Sequence, residues 1–513
     1  MRVNHALALD ALESVRFSPT SSLLWQRLGT LINTLEARER AVLVAAIAAL
    51  PLAQPLAQWL RCSALASVTR DPAWLVQQAG LVDDQFTADA VMSLLGMAWY
   101  HALVGTPGHA GFVQLLRGMD APRLQRLAAA RMSGRGPART DVPRARLRVA
   151  VYTPEVSNSR HGGTMLTLNT MGVLLRQGVE LHGFSAKEAS IPAIGSYHGG
   201  TQALSPLPVD AQSLKLADSG NVQFSFPSAE FSLRARFDQV LQAIDAYAPD
   251  LVVFVGLLSP LVYRLHAHYP VVGLSVHALP PVAPVDVWLS ADAQGEAACW
   301  PGVPVPRVFH FPFRFQPMGQ AAPLDRAALG LPADATLLVT AGFRLDTEIA
   351  APWSGHMLAF VEAHPDVHWL LIGIPNGEQP GGLPQHPRIH CVAPQPELAP
   401  WLAMCDIYAN PPRVGGGGSL AMAMEQGLAV ATFAGGDGGD KVGGYAVNSS
   451  HAYFALLHGW AVDAAARQLA GNELEARFHA RLDFSADAAA AGLMQACELA
   501  MESFRQRRGA PSA

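Results

Sequence analysis

The sequence predicts an α/β protein with two parallel-sheet domains in series, preceded by an all-helical region. Apolar residues recur with a helical period up to about residue 133. From Leu147 onward, short apolar runs alternate with helical segments, the pattern typical of parallel strands joined by helices. A glycine-rich loop also joins a strand to a helix near Asn410. The domains are expected over residues 1–140, 141–318 and 319–513.

Composition sets the broad class of protein. A chain of 513 residues predicts about three domains. With 50% hydrophobic and 15% charged residues, it can bury sizeable cores and does not resemble a disordered chain. The formal net charge of −5 supplies no basic field for nucleic acid or for an anionic membrane. Neither is therefore expected as a partner.

Targeting signals and cysteines point to a cytoplasmic protein without a membrane span. Met1–Arg16 lacks the continuous apolar core of a secretory signal, and the apolar run Ala41–Ala53 is interrupted by Pro51 and too short to cross a bilayer. The cysteines are odd in number and lack metal-type spacing, which predicts buried free thiols in a reducing compartment. They are Cys62, Cys299, Cys391, Cys405 and Cys497.

The first two regions are read from their apolar patterns. Helical periodicity runs through Leu23–Leu35, Ala41–Leu60 and Ala88–Val104, and Ser133–Arg146 is a Gly/Pro/Arg linker. Ser190–Ser225 lacks a clear period and is expected to be a long active-site loop. The second region predicts strands at Leu147–Tyr152, Val179–Ser185, Leu251–Val255 and Val271–Val276, with helices at Gly162–Gly178 and Phe231–Tyr247.

The third region repeats this alternation. Two Rossmann-like sheets in series predict a ligand cleft between them. Strands are expected at Thr336–Thr340, Trp369–Ile374, Arg388–Val392, Asp406–Ala409 and Leu428–Phe433. Helices are expected through Met357–His364, from Ser419 to Gly427, at Leu456–Leu482 and at Ala486–Arg507.

The stretch from Asn410 to Gly444 predicts a diphosphate site. Glycines before a helix N-terminus let backbone N–H groups approach an anion, and the helix dipole favours negative charge there. Arg413 and Lys441 add cations, and Asp437 is a candidate for holding ribose hydroxyls. The candidate amides in the first loop belong to Gly415, Gly416, Gly417, Gly418 and Ser419.

Residues 147–445 resemble GT-B glycosyltransferases, in particular the O-GlcNAc transferase/SPINDLY family and the bacterial transferases that modify high-molecular-weight adhesins. Four segments support the resemblance: LRVAVYTPEVSNSRHGG, PVVGLSVHALPPVAPVDVWLSAD, HPRIHCVAPQPELAPWLAMCDIYANP and the glycine-rich stretch. The family positions matched in these segments are Glu155, Asn158, His277, Asp286, Asp292, Gly416, Ser419, Gly427, Thr432 and Lys441.

The resemblance implies metal-independent transfer of a hexose or N-acetylhexosamine from a nucleotide diphosphate sugar, with a UDP-sugar favoured. It implies no cofactor and no metal, and it favours an inverting mechanism. The acceptor proton then needs a base, for which His277 and His161 are the candidates because the imidazole pKa lies near operating pH. Arg344, in GFRLD, is a third candidate cation for the diphosphate.

Several departures keep other functions open. Gly417-Gly418-Ser419 replaces a His-Thr-Thr-like phosphate grip, so backbone amides must do that work. The NPPRVGGGGS wording also resembles retaining polysaccharide glycosyltransferases, but Met422 stands where they carry Glu, which argues against their machinery. A retaining enzyme of polysaccharide or lipid-glycan synthesis, or a non-catalytic interaction protein on a GT-B frame, remains an alternative. The chain lacks the fingerprints of a dinucleotide-dependent oxidoreductase and of a P-loop kinase.

The helical region predicts an acceptor role. In the families that this chain resembles, a helical domain or helical repeats precede the catalytic half, so residues 1–133 are expected to help present a protein acceptor. No strict 34-residue repeat is visible, which disfavours a tetratricopeptide array. The alternatives are that the helices brace the fold or form a homodimer, and that the acceptor is a growing glycan.

Overall fold

The computed structural model describes the chain from residue 3 to residue 509, apart from short internal gaps. The gaps are residues 85, 105–108, 134–144, 158–161, 189–212, 217–219, 229–230, 276–278, 280, 292–299, 301, 304–306, 375–379, 381–382, 414 and 436–437. Asn158, His161, His277, Asp292, Cys299 and Asp437 therefore lie outside the described residues.

The region before the first sheet is helical, as predicted. Trp25, Leu28 and Ile32 recur three and four residues apart on the second helix and are fully buried, which explains the helical period of the sequence. The helices are α1 (Val3–Phe17), α2 (Ser22–Asn33), α3 (Ala37–Ala48), α4 (Pro55–Thr69), α5 (Ala73–Gly80), α6 (Ala88–Val104), α7 (His109–Gly118) and α8 (Ala121–Ala129).

A first sheet follows, with strand order β3-β4-β2-β1-β5-β6-β7-β8. Its strand pairs are parallel except for β3 and β4. The strands are β1 (Arg148–Tyr152), β2 (Glu180–Phe184), β3 (Ser213–Leu216), β4 (Gly220–Ser225), β5 (Leu251–Val255), β6 (Val271–Leu274), β7 (Val287–Ser290) and β8 (Arg307–His310). The helices α9 (Gly162–Arg176), α10 (Leu233–Tyr247) and α11 (Pro260–His268) lie between them in the chain.

The prediction of a continuous loop over Ser190–Ser225 is wrong for its last part. β3 and β4 form an antiparallel pair there, and β4 also pairs in parallel with β2. Val222 and Phe224 alternate into the core, a short signal that the neighbouring Gly and Ser residues obscure. Gly183 on β2 makes room for the Phe224 ring, because a Cβ at Gly183 would lie 2.5 Å from it.

The helical region is part of the first sheet's hydrophobic core. A single buried cluster contains Trp25 and Leu65 of the helices together with Tyr152, Phe254 and Trp288 of the sheet. The opposite face of the sheet is covered by α9 and by the last helix of the chain. The first 133 residues are therefore packed into the first α/β domain rather than attached to it by a linker alone.

The second sheet has the strand order β11-β10-β9-β12-β13-β14, and its recorded pairs are parallel. Its strands are β9 (Thr336–Ala341), β10 (Val367–Ile372), β11 (Ile389–Val392), β12 (Ile407–Ala409), β13 (Ala429–Phe433) and β14 (Ala446–Val447). Its helices are α12 (Leu345–Glu348), α13 (Trp353–Ala363), α14 (Ala399–Ala403), α15 (Gly417–Glu425), α16 (Gly439–Val442), α17 (Ser450–Val462) and α18 (Ala464–Arg481). The final helix is α19 (Asp487–Gly509).

Two details of the predicted helices are wrong. The single helix expected over Leu456–Leu482 is broken at Asp463, whose carboxylate caps α18 by accepting from the N–H groups of Ala465 and Ala466 at 2.9 and 3.0 Å. The helix expected to open at Ser419 begins at Gly417 instead.

The chain crosses between the two domains twice, and the crossing segments pair with each other. Phe315 donates its N–H to Leu482 O at 2.9 Å, and Phe484 donates to Phe315 O at 2.8 Å. The second crossing leads into α19, which packs on β5, β6 and β7 of the first sheet. The range 319–513 therefore contains one helix that packs with the preceding domain, while the domain boundaries themselves stay a prediction. No helix in the described ranges has the length and apolar character to cross a membrane.

Candidate functional site

The first glycine loop leads from the carboxyl end of β12 into α15. Gly415 and Gly416 adopt φ values of 93° and 79°, in the left-handed region that favours glycine. The first helical hydrogen bond runs from Leu420 N–H to Gly416 O at 3.2 Å. The N–H groups of Gly417, Gly418 and Ser419 come before it and have no acceptor within the helix, which makes this helix start suited to an anion.

Arg413 lies inside this loop. Its side chain is 2% exposed. Its Nε donates to Asn410 Oδ1 at 3.0 Å, Nη1 to Glu348 at 2.8 Å, and Nη2 to Ala341 O and to the Tyr408 hydroxyl at 3.1 Å each. Burial acts to lower the pKa of Arg413, but Tyr408 and Glu348 raise it by more, so the guanidinium stays charged. The sequence predicts Arg413 as a phosphate ligand, and the structure places it as an internal brace.

Gly416 is required by this brace. A Cβ at Gly416 would overlap the Arg413 guanidinium, and one at Gly342 would lie 2.6 Å from Arg413 Nη1. The sequence predicts that the glycines let a ligand come close to the backbone. At Gly416, the Arg413 side chain occupies that space instead. Gly418 differs, because a Cβ there would meet nothing within 4 Å.

Ser419 turns its hydroxyl into the protein. Its Oγ lies 2.7 Å from the Tyr408 hydroxyl and donates to Ala341 O at 3.1 Å. What Ser419 offers at the helix start is therefore its backbone N–H.

The second glycine loop leaves the carboxyl end of β13 and packs against the first. A Cβ at Gly438 would lie 2.5 Å from Leu420 of α15, 2.8 Å from Thr432 Oγ1 and 3.3 Å from Asn410 Nδ2. Asn410 and Thr432 are themselves joined by a hydrogen bond of 3.0 Å. The sequence shows only that both loops are rich in glycine. The structure shows that they pack against each other.

Lys441 follows the second loop, on α16. Its side chain is 8% exposed, and its Nζ lies 3.0 Å from Asp440 Oδ1 and 5.8 Å from the centre of the Phe315 ring. Arg477 donates to the backbone oxygens of Lys441 and Asp440 and so holds the short helix in place. The predicted cation is thus oriented by its surroundings and paired with a carboxylate.

Arg344 ends the connection from β9 to α12. Its Nη2 lies 2.6 Å from Glu348 Oε1, and its side chain is 41% exposed. Arg344 and Arg413 therefore share one carboxylate. Sequence reasoning missed Glu348, although its spacing of four residues from Arg344 on a helix is a usable signal for an ion pair.

The candidate bases His161 and His277, and the candidate ribose ligand Asp437, lie outside the described residues. Asp286, matched to the family by sequence, accepts from Val271 N–H at 2.8 Å and from Arg507 Nη2 at 3.1 Å, so it fastens α19 to the sheet. Among the described side chains, no group of three or more His, Cys, Asp or Glu could hold a metal ion.

A second polar cluster at the carboxyl edge of the first sheet was missed altogether. Glu188 is 3% exposed and accepts from the Tyr152 hydroxyl and, at 2.7 Å, from Ser259 Oγ. Burial raises the pKa of Glu188 to about 8, against the lowering effect of these hydrogen bonds. Gln125 of the helical region accepts from Ser259 N–H at 2.8 Å and so connects α8 to the cluster.

No protein-family model matches the chain, and no curated protein does. Among solved structures, an O-GlcNAc transferase mutant from Thermobaculum terrenum is similar over 98% of this chain and 94% of its own, with 14% identity and a TM-score of 0.57. A spinosyn rhamnosyltransferase complexed with thymidine diphosphate covers 69% of this chain and 100% of its own, with 13% identity and a TM-score of 0.39. A glycosyltransferase involved in lipopolysaccharide biosynthesis covers 68% of this chain and 99% of its own, with 10% identity and a TM-score of 0.40. The predicted GT-B architecture, and the resemblance in fold to an O-GlcNAc transferase, are thereby confirmed.

Proposed function

We propose that this chain is a glycosyltransferase whose donor, a nucleotide diphosphate sugar, binds at the two glycine loops. The observation that carries the proposal is the start of α15. Two left-handed glycines deliver three N–H groups, at Gly417–Ser419, to the carboxyl edge of a parallel sheet, where ligands of α/β folds usually bind. Lys441 adds a cation on the loop that packs against this one.

The chemistry follows from the charge that develops on the leaving group. When the bond from the sugar carbon to the diphosphate breaks, negative charge builds on the diphosphate oxygen. Oriented amides, a helix dipole and a preorganised cation stabilise that charge without a metal. Gly417–Ser419 would supply the amides and Lys441 the cation.

For the acceptor, we propose an inverting reaction. The acceptor hydroxyl forms the new bond to the sugar carbon as the diphosphate leaves, and its proton passes to an imidazole, either that of His277 or that of His161. A hexose or N-acetylhexosamine on UDP is the favoured donor. The whole-chain similarity in fold to an O-GlcNAc transferase supports this choice.

We propose further that the acceptor is a protein. The helices of the first 133 residues share a hydrophobic core with the first sheet, so the acceptor domain and the helical region act as one unit. The helical region and the first sheet together present a continuous surface on which a polypeptide could be positioned. The alternative is that the helices only brace the fold or form a homodimer, and that the acceptor is a growing glycan.

One observation favours the non-catalytic alternative. The described cations of the donor site are each paired with a carboxylate, Lys441 with Asp440 and both arginines with Glu348. A protein that had lost its transferase activity would tolerate such pairing. It would bind a nucleotide weakly or not at all, and it would release no product.

The test uses the full chain and a panel of UDP-, GDP-, ADP- and TDP-sugars. Release of the nucleoside diphosphate is followed without acceptor and then with peptide and oligosaccharide libraries, next to the Lys441→Ala variant. Release that depends on Lys441, together with sugar transferred to a peptide, is the expected result. No binding and no release with any donor would sink the proposal, and transfer to oligosaccharides alone would remove the protein acceptor.

A further inference from the structure

Glu348 joins the two arginines that the sequence predicts for the diphosphate. Its Oε2 accepts from Arg413 Nη1 at 2.8 Å, and its Oε1 lies 2.6 Å from Arg344 Nη2. The Glu348 side chain is 3% exposed and that of Arg344 is 41% exposed, so water and salt screen the Arg344 pair in part and the buried Arg413 pair only weakly. The Glu348 carboxylate thus offsets the positive charge of two arginines that would otherwise attract the diphosphate.

The ion pairs lie against the donor loop. The Arg413 guanidinium fills the space that a Cβ at Gly416 would occupy, directly before α15. Gly342, two residues before Arg344, approaches the same guanidinium from the end of β9. β9 and β12 are neighbouring strands, so Arg344 starts from the same sheet edge as the glycine loop.

The two arginines differ in their exposure to solvent. Arg413 is 2% exposed and has three further acceptors, at Asn410, Tyr408 and Ala341, so it remains in place if Glu348 is altered. Arg344 is 41% exposed and has a long flexible side chain. A ligand at the loop can therefore recruit Arg344 and leave Arg413 where it is.

We infer that Glu348 is a built-in competitor of the donor diphosphate. In the ligand-free protein its carboxylate holds Arg344, and a bound diphosphate takes Arg344 over. Glu348 thereby sets the affinity of the site and keeps it lower than the loop and its cations alone would give. This inference rests on the proposed function, because it assumes that a diphosphate binds at the loop.

The experiment measures Kd by calorimetry for UDP and for inorganic pyrophosphate, which carries the diphosphate without a base. Glu348→Gln keeps the shape and can still accept from Arg413 while removing the charge. It should bind both probes about threefold to tenfold more tightly than the parent chain, the scale of a partly exposed ion pair. The gain should shrink with added salt, because it is electrostatic.

Two further variants make the result specific. Asp346→Asn removes a charge from the exposed side of the same short helix and should leave Kd unchanged. Arg344→Ala keeps the buried pair of Glu348 with Arg413 and should weaken binding by a similar factor, which tests the inference even if Glu348→Gln fails to fold.

The outcomes separate the two proposals. Binding to Glu348→Gln but not to the parent chain supports the inference in its strongest form. If the parent chain binds and neither Glu348→Gln nor Arg344→Ala changes Kd, the inference is overturned and the proposed function stands. If no folded variant binds either probe, both are overturned.

Discussion

Asn410 donates from Nδ2 to Thr432 Oγ1 at 3.0 Å and accepts from Arg413 Nε, also at 3.0 Å. It stands directly after β12, and Thr432 lies near the end of the neighbouring strand β13. One buried amide therefore fixes the position at which both glycine loops begin, and it connects them to the Arg413 brace.

Replacing Asn410 tests that connection. Asn410→Ala leaves Thr432 and Arg413 each without one partner in a buried place, which costs about 1–3 kcal/mol of stability. Urea unfolding should show the loss, and affinity for UDP should fall with it. Asn472→Ala, on the exposed face of α18, is the control. Equal unfolding midpoints for the two variants would contradict a role for Asn410 in holding the loops.

Two glycines of the same loop, Gly416 and Gly418, should respond in opposite directions to the same change. Gly416→Ala places a Cβ at φ 79° and against the Arg413 guanidinium, so we expect a loss of about 1 kcal/mol or more. Gly418→Ala adds a Cβ in open space within α15 and should stabilise by up to about 1 kcal/mol through helix propensity. Thermal unfolding of the two variants checks this, and a stable Gly416→Ala would show that the brace does not constrain the loop.

Glu188 should make stability depend on pH. Its pKa in the folded protein is about 8, above that of an ordinary carboxyl, so the fold favours the protonated form. The stability it contributes is complete at low pH and is lost as pH rises through about 8, by at most about 1.4 kcal/mol per pH unit. Glu188→Gln cannot ionise, so its stability relative to that of the parent chain should increase between pH 5.5 and 8.5. A constant difference in urea midpoint across that range would rule out a protonated Glu188.

Lys441 should matter to turnover more than to folding. If its ammonium stabilises the leaving diphosphate, Lys441→Ala should reduce the rate of donor cleavage on the order of 10²-fold. Lys441→Arg should keep part of the activity, because the charge remains. The measurement is the initial rate of nucleotide release at saturating donor. An unchanged rate in the alanine variant would indicate that Lys441 is only a structural partner of Asp440.

The regular elements were largely predictable because their signals are local. Runs such as Leu251–Val255 and Leu337–Val339 are continuous, apolar and buried on both faces, as parallel strands require. β4 was missed because only Val222 and Phe224 alternate inward, and the break at Asp463 was missed because apolar residues continue on both sides of its cap.

The site was only partly predictable, since its contacts cross long stretches of chain. The glycine pattern indicated the loops and the helix start. The pairing of Arg413 with Glu348, 65 residues away, and of Glu188 with Tyr152 and Ser259 depends on which strands become neighbours. A sequence shows that an arginine is near a glycine loop, but it does not show that the arginine fills the space those glycines leave.

Amide hydrogen exchange of the full chain, with and without UDP, tests the central claim most directly. Binding at the donor loops should slow exchange at residues 415–420 and 438–442 and leave the helices of residues 3–129 unchanged. Protection confined to the first α/β domain, or binding by calorimetry with no protection at either glycine loop, would contradict the assignment of the donor site.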